Sequence, residues 1–141
     1  MKKYIAKTID DLLPIAHDII ANYPDERIFL LEGDMGAGKT TFAKYFGKAL
    51  GSADNICSPT FALVNQYLTQ DYENIYHFDF YRIEDPTEAF DIGFEEYLYS
   101  GDYCLIEWSQ RVIDLIPPSA IIIQITEIEE KARRIRVISP N

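Results

Sequence analysis

Residues 28–50 leave this chain few architectures to choose from. An apolar run, Ile28-Phe29-Leu30-Leu31, leads into Gly33-Asp34-Met35-Gly36-Ala37-Gly38-Lys39-Thr40, and a helix-like stretch follows from Thr41 to Leu50. The middle segment fits the pattern Gly, any four residues, Gly-Lys-[Ser/Thr], a phosphate-binding loop that works when a strand precedes it and a helix follows. Glycines let successive backbone N–H groups turn inward without a Cβ clash and form a concave anion cradle. Lys39 adds a mobile charge for the outer phosphates, and the Thr40 hydroxyl can ligate Mg²⁺. The following helix aims the positive end of its dipole at the same phosphates. The competing account is a Gly-rich turn with a surface lysine, and the strand-like and helix-like flanks speak against it. The chain is expected to bind a nucleotide.

Composition narrows the partners. The 23 acidic residues outnumber 13 basic ones for a net charge of −10, whereas binding a phosphate backbone draws on Lys and Arg. Any role in nucleic-acid metabolism is therefore expected to run through protein partners. Cys57 and Cys104 are unclustered and lack Cys-x-x-Cys or neighbouring His patterns, so both read as free, buried thiols in a reducing cytoplasm. No apolar run approaches the eighteen or so residues of a membrane span, and Met1-Lys2-Lys3 leads into no apolar signal core. The expectation is a cytoplasmic chain with no membrane association, folded as one domain over 1–141.

Along the chain, Lys3 to Lys7 reads as a short strand. Thr8 reads as an N-cap with Asp10 and Asp11 in the first turn, followed by Leu12, Leu13, Ala16, Ile19 and Ile20 at helical spacing. Arg27 to Glu32 is a buried strand, and Lys39 to Leu50 a helix ended by Gly51. Phe61 to Leu68 and Ile75 to Tyr81, across a polar turn, form an antiparallel hairpin. Residues 86–99 are helical with an interruption near Gly93, and Tyr103 to Trp108 is another buried strand. Pro117-Pro118 closes a short helix. Ala120 to Thr126 and Arg133 to Ser139 pair across an acidic turn. The fold class is α/β, a mixed sheet flanked by helices with antiparallel hairpins.

An enzyme of this kind needs a second carboxylate at the end of a neighbouring strand to organise Mg²⁺ and water. Glu107 fits, because it follows the apolar Tyr103 to Ile106. Whether it meets the metal directly or through water is open. Asp79 is a further candidate: period-two alternation sets Tyr76, Phe78 and Phe80 on one face and His77, Asp79 and Tyr81 on the other. That pattern suits a site-lining strand, and it also suits an ordinary half-solvated strand. His77 is secondary, as a structural hydrogen-bonder. Arg82 suits a carboxylate or a phosphate. Ser58-Pro59-Thr60 occupies the chain position of a switch segment or is an ordinary turn. Trp108 reads as core or interface packing. Arg133, Arg134 and Arg136 either blunt an edge strand or supply an arginine near the nucleotide.

Together, Gly33 to Thr41, Ser58-Pro59-Thr60-Phe61, His77-Phe78-Asp79-Phe80-Tyr81-Arg82 and Cys104-Leu105-Ile106-Glu107-Trp108 resemble the bacterial TsaE (YjeE) family in content and order, and the likeness extends through Asp85-Pro86 to Gly93. Met35 and Phe80 stand where the family usually has Leu. The resemblance implies a P-loop NTPase-like fold and a small Mg²⁺-dependent ATPase. It would serve the enzymes that install threonylcarbamoyl on the adenosine next to the anticodon of tRNAs reading codons that begin with A. The family implies TsaB and TsaD as partners, with TsaD carrying the transfer site, and tRNA met only through that complex. It further implies that Asp34, Met35, Gly36, Ala37, Gly38, Lys39, Thr40 and Thr41 hold the phosphates of ATP, and that Thr40 and Glu107 hold Mg²⁺. Asp79, with Lys39 and Glu107, would act in hydrolysis. Thr60 and Trp108 would lie near the nucleotide or partner surface, and Thr8 and Arg133 near the base and sugar.

Two other readings use the same loop. A small-molecule kinase needs an acceptor pocket and usually an arginine-bearing lid, yet Asp85 to Asp102 contains neither Arg nor Lys. A module that holds nucleotide without hydrolysing it has no use for Thr40, Asp79 and Glu107 together. A GTPase is disfavoured, since no Asn-Lys-x-Asp motif occurs.

Overall fold

The structure, a computed structural model, describes residues 2–57, 59 and 63–140. Its organising element is β2 (Ile28–Glu32), buried on both faces. Phe29 and Leu31 enter one apolar cluster, while Ile28 and Leu30 enter another on the opposite side. A strand this uniformly apolar belongs at the centre of a parallel sheet covered on both faces. β2 indeed pairs in parallel with β5 (Tyr103–Glu107) and β6 (Ile121–Glu129), and β5 pairs in parallel with β4 (Asn74–Asp79). Antiparallel partners finish both edges. β3 (Val64–Leu68) runs against β4, β7 (Ala132–Ile138) against β6, and β1 (Lys2–Ala6) against β7, in the order β1-β7-β6-β2-β5-β4-β3. The fold is α/β, a mixed sheet with hairpins, as the sequence implied.

One face is covered by α1 (Leu12–Asn22) and α2 (Lys39–Ala49), the other by the short α3 (Thr87–Asp91) and α4 (Phe94–Leu98). In α1 the buried residues Leu12, Ile15, Ala16 and Ile19 recur at i, i+3 and i+4, the stripe that a helix lays on a sheet. Its entry is a 3-10 turn over Ile9–Asp11, where the Asp11 carboxylate accepts the backbone N–H groups of Lys7 (2.8 Å) and Thr8 (3.2 Å). α2 contributes Phe42, Ala43 and Phe46, and full burial of each phenyl ring stabilises the fold by roughly 1.5–3 kcal/mol. Gly93 (φ +80°) separates α3 from α4 at the expected interruption.

Several boundaries differ from expectation for local reasons. β4 ends at Asp79 rather than Tyr81, where the Tyr81 N–H donates to Asp79 Oδ1 at 3.0 Å and turns the chain. β5 ends at Glu107 because Trp108 adopts φ +60°. β3 begins at Val64, after Leu63 at φ +64°, while Phe61 and Ala62 lie outside the described residues. β6 runs on to Glu129 with a register shift between Glu127 and Glu129, so the acidic residues expected in the turn belong mostly to the strand. The segment before Pro117-Pro118 is two 3-10 turns over Ser109–Leu115. Among the described residues no helix is long and apolar enough to cross a membrane.

Cys104 sits in the sheet centre and is fully buried as expected, whereas Cys57, outside any strand or helix, is exposed rather than buried. Burial pushes the Cys104 thiol up to about 12. Its neutral form therefore adds stability that is complete below the unfolded thiol value of about 8.5, and is lost as pH rises from there through the folded value. Titration with a disulfide reagent at pH 8 should show one reactive thiol in the native chain and two in guanidinium. Two fast thiols without denaturant would remove Cys104 from the core.

Candidate nucleotide site

Because β2, β5 and β4 are parallel neighbours, their carboxyl ends share one edge, with Leu31 beside Glu107 and Glu107 beside Asp79. Alternation then decides the face. Tyr103 and Leu105 pack in the cluster under α1 and α2, as does Ile75, so Glu107, His77 and Asp79 belong to that same face. α2 begins there, at Lys39. Ligand clefts of open α/β sheets form at this carboxyl edge.

The loop between β2 and α2 is shaped by close approach and by positive φ. A Cβ on Gly33 would stand 2.6 Å from the Ile125 carbonyl oxygen of β6, so the loop leaves the sheet where no side chain fits. Gly36 (φ +84°) and Gly38 (φ +104°) take left-handed conformations, and the Ala37 N–H donates to the Asp34 carbonyl at 3.0 Å. Lys39 is 6% exposed. Its Nζ donates to the carbonyls of Gly33 (2.5 Å) and Asp34 (3.4 Å) and stands 4.0 Å from the centre of the Trp108 ring. Burial holds the lysine below its ordinary value, against the opposing attraction of Glu107, Asp79 and Asp34. The ammonium is thus folded back onto the loop's own oxygens.

Glu107 is 2% exposed and reached from two sides. The Thr40 hydroxyl lies 3.1 and 3.2 Å from its two oxygens, and His77 Nε2 lies 2.6 Å from Oε2. A hydroxyl has one hydrogen and two lone pairs, so Thr40 can donate to the carboxylate and still offer a lone pair to a cation. These are hard oxygen donors of the kind Mg²⁺ takes, and Mg²⁺ commonly completes its shell with substrate phosphates and water. Among the described residues no three His, Cys, Asp or Glu side chains are grouped to hold a metal by themselves. Ions held here would need those other ligands. Lys39, Thr40, Asp79, Glu107 and Trp108 line one cleft of about 370 Å³.

The other flank of the loop differs. Thr8, Leu12, Gly38, Thr41, Phe42 and Arg133 line a separate cavity of about 680 Å³. Arg133 Nε donates to the Ala37 carbonyl at 2.7 Å, and its guanidinium reaches to 3.9 Å from Glu127. The residues singled out in the sequence therefore gather on two sides of one loop: Asp79, Glu107, Lys39 and Thr40 on one, Thr8 and Arg133 on the other, with Thr41 lining both. The side chain of Met35 is 64% exposed. Ser58 and Thr60 lie outside the described residues.

Three features escaped sequence reasoning. His77 is fully buried against Glu107 rather than half-solvated. Its parity with Asp79 was the available signal. Trp108 covers Lys39, packs on Tyr81 at 4.8 Å between ring centres and also rests against the second apolar cluster, so it joins cleft and core. Residue spacing suggested packing alone, whereas the family resemblance implied a place near the nucleotide or partner surface. The contact of Gly33 with β6 had no local signal.

A family model described as threonylcarbamoyl adenosine biosynthesis protein TsaE matches residues 6–135. The chain belongs to the TsaE family. It is 42% identical over 113 residues to the tRNA threonylcarbamoyladenosine biosynthesis protein TsaE of Rickettsia felis, a match that covers 79% of this chain and 65% of the relative. With the protein of the same name from Bacillus subtilis it shares 38% identity over 108 residues, 77% of this chain and 66% of the relative. The chain thus spans slightly less than two thirds of each of these TsaE proteins. Among solved structures, YdiB of Bacillus subtilis aligns with a TM-score of 0.77 at 28% identity, over 99% of this chain and 86% of that one. The fold is accordingly P-loop NTPase-like, and the TsaE relatives bear names that assign them to tRNA threonylcarbamoyladenosine biosynthesis.

Gly33→Ala should force either the loop or β6 to shift, since the obstructing atom is backbone. The expected loss is about 1–3 kcal/mol, read from the urea midpoint, together with weaker nucleotide binding. A wild-type midpoint would show that β6 does not press on the loop.

Proposed function

We propose that the chain is a Mg²⁺-dependent ATPase that acts as an accessory subunit in threonylcarbamoyl modification of tRNA. It works in the cytoplasm through a TsaB–TsaD pair, without carrying out the transfer or binding tRNA alone. The observation that carries this reading is the contact of Thr40 Oγ1 with both oxygens of Glu107. It brings a loop hydroxyl and a strand-end carboxylate together beside a lysine, as metal-assisted phosphoryl transfer requires.

In this reading the backbone N–H groups of residues 34–41 bind the phosphates, and Lys39 leaves the Gly33 carbonyl to pair with the outer ones. Thr40 and Glu107 hold Mg²⁺, which when bound neutralises charge on the β- and γ-phosphate oxygens. Asp79 orients the attacking water from the end of β4. The cavity bearing Thr8 and Arg133 takes the sugar and adenine. Among the described residues lining the Lys39–Glu107 cleft there is no arginine. A partner that completes the positioning would therefore raise the rate. The acid excess of 23 over 13 favours contact with tRNA through partner proteins.

ATP turnover by the chain alone should be slow and should rise at least about tenfold with TsaB and TsaD from the same organism, short of the largest gains known for partner-supplied arginines. Lys39→Ala should abolish the stimulated rate, and Glu107→Ala should weaken its Mg²⁺ dependence. Normal hydrolysis by both variants in the assembled complex would refute the site. Stimulation by a small-molecule acceptor, and not by the pair, would indicate a kinase.

A further inference from the structure

We infer that His77 is a positioning residue for the nucleotide site: from inside the fold, its Nε2–H fixes the Glu107 carboxylate in the orientation that a Mg²⁺–nucleotide requires. The inference rests on the metal role proposed above for Glu107. It starts from a contact of 2.6 Å between His77 Nε2 and Glu107 Oε2, with side chains 0% and 3% exposed. A carboxylate offers acceptors only, so the ring nitrogen that faces it carries the hydrogen.

The other groups near Glu107 cannot do this work. Thr40 has one hydroxyl hydrogen for two carboxylate oxygens, and its oxygen is itself a proposed metal ligand. The hydrogen bonds of the Lys39 ammonium go to the carbonyls of Gly33 and Asp34. A glutamate at a strand end has three rotatable bonds and needs an anchor that does not move with the ligand. His77 is such an anchor. It lies within β4, in register with Leu105 of β5 and Asn65 of β3, so the pleat fixes the direction of its ring.

The remaining ring nitrogen argues against plain bracing. Nδ1 is buried and has no hydrogen-bond partner among the described residues. A histidine that tied elements of the core together would use both nitrogens, and an apolar side chain would fill this site without a polar atom left over. Among the described residues, the polarity of the ring serves Glu107. Partners that orient a metal-binding carboxylate commonly matter nearly as much as the ligand itself.

The test compares the full chain with His77→Gln, His77→Asn and His77→Leu. A Gln amide nitrogen reaches the position of Nε2, whereas an Asn amide stops near Nδ1. The probe is a methylanthraniloyl ADP, titrated by fluorescence with Mg²⁺ and with chelator, beside a thermal melt of each variant. Affinity in chelator should stay unchanged throughout. The gain in affinity on adding Mg²⁺ should fall about tenfold or more in the Asn and Leu variants, and the Gln variant should restore it. If His77→Leu melts like wild type and keeps the full gain, the inference is wrong. Equal behaviour of Gln and Asn also overturns it, and that pair decides the matter if the Leu variant does not fold. A wild-type chain that binds the probe with no gain from Mg²⁺ would instead refute the metal role of Glu107, and this inference with it.

Discussion

Taking a carboxylate as deep as that of Glu107 out of water costs several kcal/mol unless charge or hydrogen bonds replace the solvent, and a whole domain commonly has only 5–15 kcal/mol of net stability. The contacts of Glu107 with Thr40 and His77 are therefore a condition that the surrounding structure must meet. They require α2 to start above the end of β5, which in turn requires β2 beside β5 with Leu31 level with Glu107. They also require β4 on the far side of β5, with its odd-numbered residues turned toward α2. The sheet order around the site follows from the need to meet one buried carboxylate on β5 with donors from two other elements, α2 and β4.

The apolar clusters divide labour around that point. Under α1 and α2 the aromatic residues Phe29, Phe42 and Tyr103 each stand 4.9–6.3 Å from Phe46 between ring centres and set the height of α2 above the sheet. On the reverse side Phe78, Phe80 and Phe94 form a second aromatic group. Phe80 lies just beyond the end of β4, so this group anchors the turn that follows Asp79. Interiors of this density respond to displacement as a unit. A shift at Asp79 is thus felt in α4, and a shift at Thr40 in α1.

Much of this was legible in the sequence. The phosphate loop, its strand and its helix were plain from spacing, because every residue of the motif acts on its neighbours. The hairpins and the break at Gly93 were legible from alternation and turn chemistry. Strand ends were less so. β4 and β5 stop where they do because of a side-chain hydrogen bond at Asp79 and a left-handed Trp108, features that hydropathy does not report. Hydropathy hid the place of Trp108 for the same reason, since an aromatic residue after a buried strand looks like core alone until the chain's reversal turns it over Lys39, and only the family resemblance pointed to the nucleotide side. His77 was half visible: its face could be assigned, but its burial depended on β4 lying beside β5, a pairing that strand alternation leaves unspecified.

The loop is finished by residues far along the chain. Its first glycine fits against the Ile125 carbonyl of β6, and Ala37 accepts a hydrogen bond from Arg133, 96 positions away. During synthesis the motif at residues 33–40, α2 and the strand bearing Glu107 all precede β6 and β7, so one flank of the loop stays open until those two strands have joined the sheet. A nascent chain that has reached residue 115 carries all of Lys39, Thr40, Asp79 and Glu107 and still lacks the side of the cradle that β6 and Arg133 provide. The finished loop is consequently a property of the assembled sheet, complete only when β5 and β6 both flank β2.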